Sequence, residues 1–328
     1  MRVRLSPLGF GAAPIGNLYE GVSEGEAEDA VLEAFKQGIR YFDTAPFYGF
    51  GLSESRLGRA LAGLRRRSFV VSTKVGRRIE MDDGVQGHVN EGFAVAGRRA
   101  AFDYSREGIQ RSIESSLARL GTDRIDILLL HDVGRLTHGE RHPEVLGQAL
   151  DEALPAMAAL RDAGVVDAIG IGVNEQEVCL EIMPRFDLDC IMLAGRYTLL
   201  EQRDSAEVMA EAQRRNVKII VAAPYNSGLL ADAAAPGTTY DYRSVDSAML
   251  ERAREIYAQC ALEGVDVGAA ALQFPLAHPA VAAVVAGQRT AREVVSAVER
   301  FRTRIPTRLW ARLEAAGLLE PDVCLPRV

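Results

Sequence analysis

The sequence predicts an α/β fold of the closed (β/α)8 TIM-barrel type. Three observations predict it. Short β-branched or aromatic runs alternate with amphipathic helical stretches along the whole chain. The runs are continuously apolar, as strands of a parallel sheet covered on both faces must be. Eight such units fit within 328 residues, and an α/β barrel commonly closes as one domain at ~250 residues or more. Residues 1–328 therefore read as one barrel domain. An open doubly wound sheet would carry G-x-G-x-x-G at an early strand-to-helix turn. Here Gly9-Phe10-Gly11 runs into Ala12, Ala13 and Pro14, so that fingerprint fails.

The elements follow in order. Leu8–Ala12 is the first strand. A helix over Glu24–Gln37 is closed by Gly38, and Arg40–Asp43 is the second strand. A helix over Glu54–Ala62 precedes Phe69–Lys74 (FVVSTK), and Arg106–Leu120 precedes Ile125–His131 (IDILLLH). The second half reads helix Leu146–Asp162, strand Ala168–Val173, helix Glu175–Met183 and strand Cys190–Ala194. Then come helix Ser205–Arg215, strand Lys218–Ala222, two helices within Met249–Ala277, strand Val281–Ala286 and helix Ala291–Phe301. Trp310 sits in a further amphipathic helix, where packing is its expected role. Three connections, Gly76–Ser105, Asp132–Glu144 and Leu230–Asp246, are longer than simple links require. Each follows a strand, so all three fall at the C-terminal mouth where barrel enzymes keep their sites.

Composition excludes several classes. A net charge of -7 argues against a nucleic-acid partner. The four cysteines, Cys179, Cys190, Cys260 and Cys324, show neither C-x-x-C nor metal-ligand spacing, so reduced thiols are expected. No apolar run approaches a membrane span and no targeting segment is visible, which makes the cytoplasm the expected location. Nothing in the chain chooses between a monomer and a small homo-oligomer.

What ends each strand is more informative. Asp43 closes the second strand, Tyr48 follows in the next loop, Lys74 closes the third and His131 the fourth. Taken singly, these residues read as a helix cap, a packing ring, a solvated charge and a structural histidine. On consecutive strand ends they form a chemistry. A phenol has a pKa of ~10, and a neighbouring ammonium is expected to lower it. Lys74 supplies that charge and Asp43 orients it. His131 hydrogen-bonds the substrate oxygen, and Tyr48 is the general acid or base. No side chain transfers hydride, so a nicotinamide cofactor is required.

The runs DTAPFYG, SESRLGRAL, STK and LLLH resemble the aldo-keto reductase family in order and spacing. The resemblance implies a TIM barrel, no metal, and NAD(P)(H) lying extended across the mouth. It also implies a catalytic aspartate, tyrosine, lysine and histidine, matched here by Asp43, Tyr48, Lys74 and His131. GFGAAPIGNLY, IGIGVNE, LAGRYTLLEQ and APYNSGLL are similar to the aldose 1-dehydrogenase branch. That branch includes L-fucose, D-threo-aldose and L-galactose dehydrogenases, with pyridoxal 4-dehydrogenase as a close relative. Such enzymes oxidise a cyclic hemiacetal with NAD(P)+, the aldoses to lactones.

Carried over residue by residue, the family's carboxamide-binding asparagine matches Asn174. Its strand-six glutamine is replaced by Ala194, and its stacking tyrosine by Ala222 and Ala223. In place of that ring, the Pro224-Tyr225-Asn226-Ser227-Gly228-Leu229 turn offers backbone N–H groups to pyrophosphate; otherwise it is a plain strand-to-helix loop. After the last strand come Gly287, Gln288 and Arg289 at a helix N-terminus, which favours an anionic group. Members preferring NADPH carry Lys-Ser there, then an arginine; this chain has Glu293 near that arginine's place. NAD is therefore the expected cofactor over NADP, with Arg289 left to pair with a 2′-phosphate, stack on adenine, or simply face solvent.

Phe47, Phe50 and Ile15 are expected to line the substrate side of the mouth. Asp132 is expected to bond a sugar hydroxyl or to serve as a turn residue. Tyr240 and Tyr242 sit where a lid would lie. The partner is thus a small sugar, hemiacetal or aldehyde. Competing readings are an NADPH-dependent aldehyde or ketone reductase, and a non-catalytic cofactor-sensing subunit like the related potassium-channel β subunits. The complete set of four, and the lack of an added N-terminal stretch, weigh against the last.

Overall fold

The computed structural model describes residues 1, 3–85, 91–231, 239–240 and 243–326. The expected lid residues Tyr240 and Tyr242 lie outside the described side chains.

Eight parallel strands close a barrel in which every strand sits between its sequence neighbours. They are β1 (Leu8–Gly11), β2 (Tyr41–Asp43), β3 (Val70–Val75), β4 (Ile127–His131), β5 (Ala168–Val173), β6 (Cys190–Ala194), β7 (Lys218–Ala222) and β8 (Val281–Gly287). All eight expected strands are present, with ends displaced by no more than two residues. β8 closes against β1 in the register Leu8↔Val284 to Gly11↔Gly287.

Two apolar regions follow from the period of two along each strand. Outward residues such as Phe42, Val71, Leu128 and Leu130 pack under the helices. Inward residues Tyr41, Ile127, Leu129, Cys190, Met192, Ile220 and Val285 fill the barrel, with Met1, Val3 and Leu5 against that core. The same alternation carries Asp43 above Tyr41, Lys74 above Ser72, and His131 above Leu129. The top inward layer of three adjacent strands is therefore polar while the layers below are packed.

The helices depart from expectation in one place. The helix expected over Leu146–Asp162 begins at His142 and widens into a π turn at Ala149–Ala153 before continuing as Leu154–Asp162. Pro155 lies in the first turn of that last segment and has no N–H to donate backward, which accounts for the irregular turn before it. The Met249–Ala277 stretch divides into Ser247–Leu262 and Val267–Gln273, separated by Gly264 at φ +66°. Asp266 caps the second piece by accepting from the Ala269 N–H at 3.0 Å.

The first long connection is not an irregular loop. It holds an antiparallel hairpin, Arg77–Met81 with Arg98–Phe102, over the rim next to β3. The second contains a short helix, Arg135–His138. Cys179, Cys190 and Cys260 are buried and Cys324 is half-buried, all as free thiols. No helix among the described residues is long and apolar enough to cross a membrane.

Candidate active site

Strand register brings the four sequence-derived residues together. Asp43 pairs with Ser72 across β2 and β3, and Lys74 with Leu129 across β3 and β4. Lys74 Nζ donates to Asp43 Oδ2 at 2.8 Å, to the Thr44 carbonyl at 3.0 Å and to Tyr48 Oη at 3.0 Å. An ammonium has three protons, so all three are placed. Tyr48 Oη accepts one of them, which leaves its own proton available to a ligand. The Ser72 hydroxyl donates to Asp43 Oδ1 at 2.6 Å. Tyr41 Oη lies 2.9 Å from Ser72 Oγ; with the serine proton committed, Tyr41 is the donor. A buried chain thus runs from Tyr41 through Ser72 to Asp43 and on to Lys74 and Tyr48.

Tyr48 is held by its neighbours. Gly49 has φ +62°, and a Cβ there would lie 2.2 Å from the Gly16 carbonyl oxygen. That close approach seats the Tyr48 loop on the Pro14–Gly16 turn. In the following helix, Ser53 Oγ donates to the Ala12 carbonyl at 2.7 Å and Glu54 accepts from Thr73 Oγ1 at 2.7 Å. Arg56 donates to the Ile15 and Val22 carbonyls, both at 2.7 Å. The SESR run therefore fastens the helix to the strand ends, and the Ser53 N–H holds the Tyr48 carbonyl at 3.2 Å.

The electrostatics differ from the simple expectation at Tyr48. Burial holds its phenol above the ordinary value, and the Lys74 ammonium pulls it back only in part. The expectation that Lys74 leaves Tyr48 more acidic than free tyrosine is corrected on this point: desolvation of the phenolate outweighs the attraction. For Lys74, burial disfavours the ammonium, but Asp43 and Tyr48 more than offset it, and the net shift is upward. Burial, then Arg77 and Lys74, push His131 well below its ordinary range, so it is neutral at neutral pH. The Tyr48 and His131 rings stand perpendicular with centroids 6.3 Å apart.

Among the expected substrate contacts, Phe47 meets the His131 ring edge-on at 6.1 Å. Asp132 is beside His131, its Oδ2 3.3 Å from Nε2. Ile15 and Phe50 are corrected: both are wholly buried, Ile15 in the outer core and Phe50 behind Phe47 and Phe93. Each is a supporting residue, because the loop that carries it turns its side chain away from the mouth. Phe93, Arg77, Ser72 and Tyr41 were not singled out from the sequence. Ser72 was findable, since it shares a strand face with Lys74 two residues on. Arg77 and Phe93 carried no signal; only tertiary folding brings them to the rim.

The expected cofactor residues lie after β5, β7 and β8. Asn174 is half-buried beyond β5. In the turn after β7, the N–H groups of Asn226, Gly228 and Leu229 donate to carbonyls of Ala223, Tyr225 and Asn226 within the segment itself. The Pro224–Leu229 turn therefore has fewer N–H groups to give a phosphate than its sequence suggests. Asn226 Nδ2 donates to the Gly195 carbonyl at 3.1 Å, while its buried Oδ1 has no partner. Gln288 is 1% exposed, and both its amide nitrogen and oxygen are buried without a partner among the described residues. Buried amide atoms are rarely left unpaired, so a polar ligand fits here. The helix after β8 already has its anion: Glu293 accepts from the Arg289 N–H at 2.7 Å. Arg289 itself is ion-paired to Glu20.

Comparison with known proteins shows the family. The aldo/keto reductase family matches residues 7–317. The chain is 40% identical to D-threo-aldose 1-dehydrogenase of a Pseudomonas species, over 95% of this chain and 94% of that protein. It is 37% identical to pyridoxal 4-dehydrogenase of Microbacterium luteolum, over 96% and 95% respectively. Among solved structures, an aldo-keto reductase of Bacillus halodurans in its holo form superposes with a TM-score of 0.73 at 27% identity, covering 97% of this chain and 94% of that one. Family members work with a nicotinamide cofactor. The chain belongs to the aldo/keto reductase family and is an oxidoreductase.

Proposed function

We propose that this enzyme oxidises a cyclic hemiacetal, an aldose at its anomeric carbon, to the lactone with NAD+. The carrying observation is the buried Lys74 ammonium shared between Asp43 Oδ2 and Tyr48 Oη. Asn174, the Pro224–Leu229 turn and Gly287, Gln288 and Arg289 would hold the dinucleotide. When bound, it supplies the hydride acceptor that no side chain can. Tyr48 takes the hemiacetal O–H proton as the adjacent carbon gives up hydride, and the carbon–oxygen double bond forms. Lys74 stabilises the phenolate that this requires, and Asp43 keeps Lys74 charged. Neutral His131 donates to the same substrate oxygen and fixes its angle. Phe47 and Phe93 exclude water from one side.

Three features support the choice of substrate and cofactor. The relatives at 37% and 40% identity act on pyridoxal and a D-threo-aldose. Pyridoxal closes to a cyclic hemiacetal, so both share one reacting group. Glu293 at the helix N-terminus and Glu20 on Arg289 disfavour a 2′-phosphate, which favours NAD+ over NADP+.

A second reading is aldehyde or ketone reduction, favoured by the raised Tyr48, which rests protonated and is a ready acid. The deciding assay gives the protein NAD+ or NADP+ with L-fucose, D-arabinose, L-galactose or pyridoxal and follows reduced-nicotinamide absorbance. Turnover with NAD+ on one of them is expected. Silence on all four, with NADPH consumed by simple aldehydes, would replace the dehydrogenase reading with the reductase.

A further inference from the structure

Asp132 directly follows His131 and stands in the left-handed region, at φ +49°. A non-glycine residue held there costs energy, and such strain persists only where the surroundings fix it. They do so from several sides. The Asp132 N–H donates to the Gly172 carbonyl at 2.9 Å. Its carbonyl accepts from Tyr104 Oη at 3.0 Å and faces His138 Nε2 at 2.9 Å. Its carboxylate is ion-paired to Arg77 on the rim hairpin. The Arg77 guanidinium is in turn clamped between rings, 4.0 Å over Phe47 and 4.7 Å over Phe102. Stacked guanidinium groups are stiff and hold a carboxylate in one place.

The effect is a carboxylate, 11% exposed, locked beside the catalytic histidine. Both near contacts, Arg77 and His131 Nε2, fall on Oδ2. Oδ1 is left without a partner among the described residues. The Nε2–Oδ2 separation of 3.3 Å is comparable to that between oxygens on neighbouring carbons of a sugar. A substrate oxygen held by His131 therefore has the Asp132 carboxylate beside it, within reach of the hydroxyl on the next carbon.

We propose that the Arg77–Asp132 pair is a specificity determinant that reads the hydroxyl on the carbon adjacent to the reacting hemiacetal carbon. This rests on the hemiacetal reading and narrows it. The preferred substrates are 2-hydroxy aldoses; a lactol without that hydroxyl is handled poorly. Pyridoxal, whose neighbouring carbon is an aromatic ring carbon without a hydroxyl, is handled poorly as well. The Asp132 carboxylate accepts a hydrogen bond from that hydroxyl. Burial raises the Asp132 carboxyl, and Arg77 pulls it back towards the ionised form and aims it.

The test pairs each aldose with its 2-deoxy counterpart in the wild-type enzyme, Asp132→Asn and Arg77→Gln, with thermal melting as the check on folding. The wild type is expected to prefer the 2-hydroxy sugar by roughly 10- to 100-fold in kcat/KM, the range of one charge-assisted hydrogen bond. In both variants that preference collapses towards unity, chiefly through KM. Equal loss on both sugars would make the pair merely structural and overturn the proposal, as would a wild type indifferent to the 2-hydroxyl. If the wild type oxidises neither sugar of any pair yet turns over other carbonyls, the hemiacetal reading itself has failed. If either variant melts early, Asp132→Glu, which keeps the charge but lengthens the arm, must still change the 2-hydroxy to 2-deoxy ratio.

Discussion

The mouth of this barrel has two halves that satisfy their polar atoms differently. On the β2–β4 side the charged groups are paired: every proton of Lys74 is placed, Ser72 and Tyr41 complete Asp43, and Asp132 is paired with Arg77, while His131 Nδ1 and Arg77 Nε are buried without a hydrogen-bond partner among the described residues. On the β7–β8 side, the Gln288 amide and Asn226 Oδ1 are buried and unpaired among the described residues. The Asp43–Lys74–Tyr48 set is held by its own hydrogen bonds, and on the proposed reading the dinucleotide would complete Gln288 and Asn226. On that reading the proton-handling charges are preorganised by their own pairs, whereas the proposed dinucleotide half trades apo-state satisfaction for affinity.

The sharpest way to break this contrast is Lys74→Met. Activity should fall by roughly 10³-fold or more, because Tyr48 loses the charge that stabilises its phenolate. Stability should fall as well, by about 3–5 kcal/mol, since the buried Asp43 carboxylate is left without its partner. Tyr48→Phe should lose comparable activity but little stability, because the ring packing remains. Denaturant midpoints and single-turnover rates read the two effects separately. A Lys74→Met protein as stable as wild type would mean that the β2–β4 half is not a preformed unit.

Next in size is the pH dependence. Tyr48 is held above its ordinary value, so the phenolate fraction grows as pH rises. Hemiacetal oxidation should gain nearly tenfold per pH unit from neutrality and still be climbing at about pH 9, while the reverse reduction slows. A plateau near neutrality would show that Lys74 outweighs burial after all. For stability the sign is opposite to a gained ion pair. His131 has a depressed folded-state value, so below about 6.5 the unfolded chain binds the proton more readily, and stability is lost as pH falls through that point.

On the other half, Gln288→Leu replaces two unpaired buried atoms with an apolar side chain of similar volume. Apo stability should hold or rise by up to about 1 kcal/mol. Binding of NAD+, read by fluorescence quenching, should weaken roughly tenfold. Loss of stability with unchanged binding would show that Gln288 is a core residue whose partner is intramolecular.

The same contrast explains what was legible in the sequence. Asp43, Lys74 and His131 could be read because one strand end carries each, and a period of two fixes which way a strand end faces. Tyr48 followed from its place after Asp43. The barrel itself was visible in the alternation of apolar runs and helices. Ile15 and Phe50 were misread because they lie on loops, where no period says which side is in. Arg77 was missed because its position depends on the hairpin Arg77–Met81 with Arg98–Phe102 folding over the rim, and its RRIEM strand is too polar to stand out. The departures at Ala194, Ala222 and Ala223 leave the dinucleotide half without the side chains a motif would name, and its turn spends much of its backbone on itself.

The smallest expected effect concerns which dinucleotide that half takes. The helix Ala291–Arg302 has its N-terminal N–H groups served by Thr290 and Glu293, and Glu20 covers Arg289. A 2′-phosphate arriving there would meet two carboxylates before it met a cation. Glu20→Gln with Glu293→Gln removes both charges while leaving Arg289 and the capping geometry of Thr290 in place. Helix stability changes by less than about 1 kcal/mol, since both carboxylates are exposed. The ratio of kcat/KM for NADP+ over NAD+ should rise about three- to tenfold, chiefly through a lower KM for NADP+, and the gain should shrink as salt screens the site. A ratio that does not move would place the 2′-hydroxyl elsewhere on the rim, away from Arg289, and the preference would then have to be sought in the β7 turn.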